Sequence, residues 1–134
     1  MGDEIALGLE SLAFGGEAVG RGSDGRVVFV AGGAPGDRVV ARVVEDKRSF
    51  VRAELVRVAT AGARVVPPCP LVERCGGCPW QHVTMEAQRA AKQAIVERAL
   101  GKLGSPGAVH GAVEIRPIAA APADLGYRVR ARMT

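Results

Sequence analysis

Aromatic residues are scarce in this chain: three Phe, one Tyr and one Trp among 134 residues. An aromatic used in the core is therefore one fewer available for a ligand. Lysine is scarce as well. Of the 18 basic residues only Lys47, Lys92 and Lys102 are not arginine. Arginine is the better bidentate phosphate binder, although a GC-rich genome also enriches Arg, Ala, Gly and Val, so composition leaves both readings open. No apolar run reaches the roughly 18 residues of a membrane-spanning helix. The first ten residues, MGDEIALGLE, are acidic and alternating, unlike the basic start and apolar centre of a signal peptide. Both absences point to a cytoplasmic protein with no membrane partner. Cysteine is absent except at Cys69, Cys75 and Cys78, too few and too close together for a disulfide framework.

The length fits one ordinary domain or two small ones. The net charge of +4 is uneven: residues 1–66 hold nine basic and nine acidic side chains, and residues 67–134 hold nine and five. A polyanionic partner suits this excess without being required by it. The first 60 residues read as short strands. Ile5, Leu7 and Leu9 alternate with Glu4, Gly8 and Glu10, the period of a half-buried strand. Gly15-Gly16 and Gly20–Gly25 break the chain. Arg26–Ala31 is β-branched, and Ala34-Pro35-Gly36-Asp37 has the chemistry of a type II turn. Asp37–Val44 and Phe50–Ala59 are two more strands, split by the charged turn Glu45–Ser49. Four or five such strands without helical period predict a small closed barrel, which leaves no exposed edges.

Residues 60–68 (TAGARVVPP) read as a linker, and a Gly- and Pro-rich cysteine loop follows. Thr84–Leu103 predicts a helix, with Thr84 as cap, Glu86 in its first turn and Ala91, Ile95, Val96, Ala99, Leu100 and Leu103 at helical spacing. Gly104-Ser105-Pro106-Gly107 stops it. Val113–Ile118 and Tyr127–Met133 read as strands, the second with Arg128, Arg130 and Arg132 on one face at intervals of roughly 7 Å. That spacing suits the phosphates of an extended single strand, and equally a solvated sheet face.

The cysteines have C-x5-C-x2-C spacing. Reduced, clustered thiols point to metal, and a structural zinc site or a cubane cluster takes four protein ligands. Soft thiolates suit either. With His82 the spacing becomes C-x5-C-x2-C-x3-H, a Cys3His zinc site contained in the chain, and spacing alone leaves zinc and iron–sulfur equally open. Gly76 and Gly77 let the backbone wrap closely, and Pro68, Pro70 and Pro79 stiffen the loop. A redox C-x-x-C is disfavoured because no βαβ pattern surrounds it.

The order GRVVFV, then PGD, then PPCP, then CGGCPWQH resembles the N-terminal part of the bacterial RNA uracil-5-methyltransferases, from about Ala13 to the end of the chain. The resemblance implies a mainly β chain: an OB-like TRAM barrel that binds RNA over residues 1–62, then an incomplete α+β domain over 63–134. The latter comprises a cysteine loop (63–83), a helix (84–103) and strands (113–134). It also implies a [4Fe-4S] cluster on Cys69, Cys75 and Cys78, with the fourth cysteine beyond Thr134. The nucleophile, base and S-adenosylmethionine-binding loops would lie there too, so the segment alone is expected to be inactive. His82 then becomes a hydrogen-bonding neighbour of the cluster and Trp80 its cover. The implied reaction is addition of a thiolate to uracil C6, methylation at C5 from S-adenosylmethionine and removal of the C5 proton, on a nucleotide turned out of its stack. RNA is the expected partner, ribosomal rather than transfer, and the protein is expected to be a monomer. The alternative is a stand-alone TRAM module with a Cys3His zinc knuckle and no activity. Candidate RNA contacts are Lys47, Arg48, Phe50 and Arg52 on the barrel and Arg128, Arg130 and Arg132 near the end. Phe50 is the stacking candidate, and Phe29 is assigned to the core.

Overall fold

Short strands can bury one face only by pairing around a common interior, and the aliphatic alternation of this chain sets that interior. The computed structural model describes residues 2–101 and 114–130. Five strands come first: β1 Glu4–Leu12, β2 Ala18–Arg21, β3 Val27–Ala31, β4 Arg38–Asp46 and β5 Phe50–Thr60. They close into a barrel in the order β1-β2-β3-β5-β4, with β4 returning to β1. The β3–β5 pair is parallel and the other four pairs are antiparallel. The mainly β expectation and the closed barrel are both met.

The interior is filled by small aliphatic side chains: Leu7, Leu9 and Leu12 from β1, Val28 and Val30 from β3, Val39 and Ala41 from β4, Val51 and Ala53 from β5. Leu9 and Leu12 both face inward although they are three residues apart. The pairing of β1 with β2 shifts register between Leu9 and Ser11, and such a bulge resets the period-two alternation. At the Ala34–Asp37 turn, Gly36 takes φ +83° and the Asp37 N–H returns to the Ala34 carbonyl at 3.1 Å, as a type II turn requires.

Gly20 does not break the chain. It lies inside β2, opposite Leu9, and a Cβ there would fall on the Gly8 carbonyl. The glycine permits close approach of β1 and β2 rather than ending a strand.

The stretch read as a linker is tied down on both sides. Ala63 N–H donates to the Pro35 carbonyl at 2.8 Å, Thr84 N–H to the Ala63 carbonyl at 3.0 Å and Val65 N–H to the His82 carbonyl at 2.9 Å. Arg64 forms a bridge with Val83. A one-turn helix, α1 Val72–Cys75, lies in the cysteine loop, and α2 spans Met85–Leu100. Thr84 caps α2, its side chain accepting from Ala87 N–H at 3.3 Å. Only the first half of α2 packs on the barrel, through Ala87 and Ala91, and Val96 is exposed. Leu103, the Gly104–Gly107 stop and the proposed strand start at Val113 lie outside the described residues.

Residues 114–130 contain no strand, contrary to expectation. A strand needs a paired edge, and among the described residues the five strands close on one another and offer none; Tyr127 and Val129 are exposed rather than packed. Arg132 and Met133 lie outside the described residues.

Candidate nucleic-acid interface and cysteine loop

Because Val28 and Val30 point into the barrel, Phe29 between them points out. This overturns its assignment to the core: it is only half-buried, whereas its two neighbours are 1% and 0% exposed. Register places Val19, Phe29 and Arg52 side by side across β2, β3 and β5, with Val27 and Phe50 the neighbouring pair. Phe29 and Phe50 meet edge to face, ring centroids 5.9 Å apart at 77°. The Arg52 guanidinium lies 5.9 Å from the Phe29 centroid and 5.7 Å from that of Phe50. Each such cation–π contact contributes about 0.5–1 kcal/mol at an exposed site. The Arg52–Glu17 ion pair is long, at 3.7 Å, and an exposed pair of this kind contributes ~0–1 kcal/mol. The rings therefore do as much to orient Arg52 as the carboxylate does.

The turn carrying Lys47 and Arg48 leads directly into Phe50, with Lys47 N–H donating to the Phe50 carbonyl at 2.9 Å. Lys47 is partly balanced by Glu45 at 3.2 Å, and Arg48 is exposed. The structure thus joins Lys47, Arg48, Phe50 and Arg52 in one region and adds Phe29 and Glu17. Arg128 and Arg130 are exposed on the irregular segment, not on a strand face, and Arg132 lies outside the described residues. The signal for Phe29 was in the sequence: alternation through Val28 and Val30 leaves it outward.

Arg26 was not singled out from the sequence, and its charge is already committed. It binds Asp24 at 2.7 Å, Asp46 and the Lys47 carbonyl at 2.6 Å. Asp46 and then Asp24 push its pKa above the ordinary arginine value. The Arg26 backbone N–H and guanidinium hold Asp24 below the ordinary carboxylate value. Beside it opens a cavity of about 430 Å³ between Ile5, Leu7, Val28, Val43 and Val51, rimmed by Asp3, Asp24 and Asp46. Three carboxylates against one arginine make it a poor phosphate site.

In the cysteine loop, Cys69 is partly buried and Cys75 and Cys78 are exposed, all as free thiols. Cys69 N–H donates to Gln81 Oε1 at 3.1 Å, and Gly76 ends α1 in the left-handed conformation. As donors the three thiols suit a soft metal. Among the described residues, no group of three or more His, Cys, Asp and Glu side chains comes together to hold a metal ion. The donor chemistry fits a cluster or zinc; the loop geometry does not assemble the site.

His82 is 9% exposed and its Nε2 lies 2.8 Å from the Gly33 carbonyl. A carbonyl only accepts, so Nε2 carries the proton and is committed to the barrel. Trp80 docks on the barrel too, donating from Nε1 to the Gly16 carbonyl at 3.0 Å and packing against the core. These contacts anchor the loop to the barrel. No described helix is long and apolar enough to cross a membrane.

Residues 2–56 match the TRAM domain family. The chain is 41% identical over 128 residues to an uncharacterized RNA methyltransferase of Gloeobacter violaceus, covering 95% of this chain and 27% of that protein. It is 42% identical over 130 residues to one from Thermosynechococcus vestitus, again covering 95% and 27%. Against the 23S rRNA (uracil(1939)-C(5))-methyltransferase RlmD of Azoarcus sp. the identity is 40% over 128 residues, covering 93% and 28%. The chain therefore spans about a quarter of the length of these curated relatives.

Proposed function

We propose that this chain, which carries a TRAM domain and is related over nearly its whole length to RNA methyltransferases, is the RNA-gripping N-terminal segment of an S-adenosylmethionine-dependent RNA uridine C5-methyltransferase acting on 23S rRNA. One observation carries this reading. Similarity extends through both the barrel and the cysteine loop to proteins named for that reaction, at 40% identity over 93% of the chain in one case.

The barrel's part is to hold RNA. Arg48 and Arg52 supply exposed cations, and Phe29 and Phe50 supply apolar surface beside them. Cys69, Cys75 and Cys78 would hold a [4Fe-4S] cluster with a fourth ligand from outside the chain, and the bound cluster would supply a rigid cross-link rather than a reacting group. Methyl transfer belongs to a catalytic domain that these residues do not include. The zinc-knuckle reading needs His82 as fourth ligand through Nδ1, the nitrogen that its Nε2 contact with Gly33 leaves free, so that contact does not separate zinc from a cluster.

The test is titration of a labelled single-stranded rRNA fragment with the chain at 50 and 200 mM salt, alongside metal and sulfide analysis after anaerobic preparation. Affinity should fall steeply with salt, with no methyl transfer when S-adenosylmethionine is added. Absence of RNA binding at 50 mM salt overturns the reading. Iron with sulfide supports the cluster; one zinc and no sulfide overturns it.

A further inference from the structure

The outward face of β3 and β5 exposes two of the chain's three phenylalanines around one arginine, although neither ring is needed by the barrel's aliphatic core. An aromatic pair on the outside of a barrel leaves apolar surface in water without closing any cavity. Edge-to-face geometry leaves ring faces available to a further flat partner. Arg52 adds a planar guanidinium next to both rings, and its side chain remains 49% exposed. Arg48, exposed, stands two residues before Phe50 in the turn that enters β5. Flat π surfaces flanked by cations match one ligand chemistry: an unstacked base with its phosphate. The bases of an RNA duplex are stacked on each other and offer no such face.

We infer that Phe29, Phe50 and Arg52 form a stacking subsite for one unpaired nucleotide of single-stranded RNA, with the base on the Phe50–Arg52 surface and its phosphate toward Arg48. The inference rests on the RNA-binding reading above and narrows it to single strands and to stacking. Because stacking is tolerant of base identity, this subsite grips and does not choose the target uridine. Glu17 limits the swing of Arg52 and so helps to keep its plane beside the rings.

The experiment uses the full chain and a labelled unstructured 12-nucleotide RNA, alone and annealed to its complement. Phe50→Ala should weaken single-strand binding about 5- to 150-fold, the fold-change of a lost stack of ~1–3 kcal/mol, without altering the salt slope. Arg52→Ala should weaken binding, and Arg48→Ala should lower the salt slope by about 0.7. Phe50→Trp should keep affinity within about threefold of the parent, which separates stacking from fold damage, and each variant's melting transition is recorded alongside. Phe14, 91% exposed at the β1–β2 turn, is the control, and Phe14→Ala should change nothing. RNA binding that survives Phe50→Ala and Phe29→Ala within twofold overturns the stacking subsite while leaving RNA binding intact. Equal affinity for the duplex, or an equal loss with Phe14→Ala, overturns it too. Failure of every form to bind RNA instead defeats the broader reading.

Discussion

Arg64 closes on Asp37 with Nη2 2.7 Å from Oδ2, joining the segment before the cysteine loop to the β3–β4 turn of the barrel. Asp37 is fully buried. Its Oδ2 also accepts from the Ala34 N–H at 2.9 Å and its Oδ1 from the Gly62 N–H at 2.8 Å. Arg64 in turn donates to the Gly32 carbonyl at 2.7 Å. A carboxylate taken out of water is strongly unfavourable unless its oxygens are matched by donors. Here both oxygens are matched, and one partner is a cation. Burial pushes the Asp37 pKa up, but the Arg64 guanidinium and the two backbone N–H groups outweigh it and hold the group below its ordinary value.

Replacing Asp37 by Asn should destabilise the protein by about 2–4 kcal/mol, because it leaves Arg64 unpaired and turns an amide N–H₂ toward donors. Urea denaturation measures the loss. The pH dependence carries the matching sign. A carboxylate whose folded pKa lies below its unfolded value of about 3.9 contributes stability above that pH and loses it as pH falls through the folded value. The advantage of the parent over Asp37→Asn should be constant from neutral pH to about 5 and shrink below about 4. A difference that stays flat down to pH 3 would show that Asp37 is not the titrating group.

Gly62→Ala tests the same junction from the backbone. A Cβ at Gly62 would collide with the Gly36 and Pro35 backbone and come within 2.6 Å of Asp37 N. No flexible side-chain end is available to give way, so overpacking should cost roughly 1–3 kcal/mol and loosen the Gly62–Asp37 bond. Thermal melts of the two proteins side by side decide it, and an unchanged melting temperature would refute the predicted collision.

Trp80 is the only tryptophan and reports on whether the cysteine loop is fastened to the barrel. Its fluorescence in the folded chain should be blue-shifted relative to the unfolded chain. Its denaturation curve should coincide with that of the barrel followed by far-UV circular dichroism. Trp80→Phe removes the bond to the Gly16 carbonyl and should cost about 0.5–1.5 kcal/mol. A fluorescence transition well ahead of the circular dichroism transition would mean that the loop detaches by itself.

Much of the barrel was legible because alternation and turn chemistry are local. Ile5, Leu7 and Leu9 mark β1 by period, and Pro35-Gly36 marks a turn by backbone chemistry. Thr84 is recognisable as a cap because its oxygen needs only a neighbouring N–H. Gly20 misled for the opposite reason: locally it reads as a breaker, and only the approach of β1 explains its place in a strand. Phe29 was assigned to the core from the scarcity of aromatics, although period two through Val28 and Val30 sends it outward. Val96 fits a helical stripe that the structure leaves uncovered, since periodicity says which residues share a face and not what packs there.

The sequence by itself determined the closed barrel, its aliphatic interior, the capped helix and the presence of three clustered thiols. The strands, the cap and the thiols follow from residues close together along the chain, and closure from the number of short strands that would otherwise leave open edges. Tertiary structure alone decided three further things: Phe29, Phe50 and Arg52 share one outer face, Asp37 is paired with Arg64, and Trp80 and His82 are turned toward Gly16 and Gly33. These depend on barrel closure and on the parallel β3–β5 register, which bring distant residues within bonding distance and leave no trace in local spacing. The loop cysteines stand between the two cases: their thiol chemistry is written in the sequence, while a ligand sphere needs a fold that gathers them.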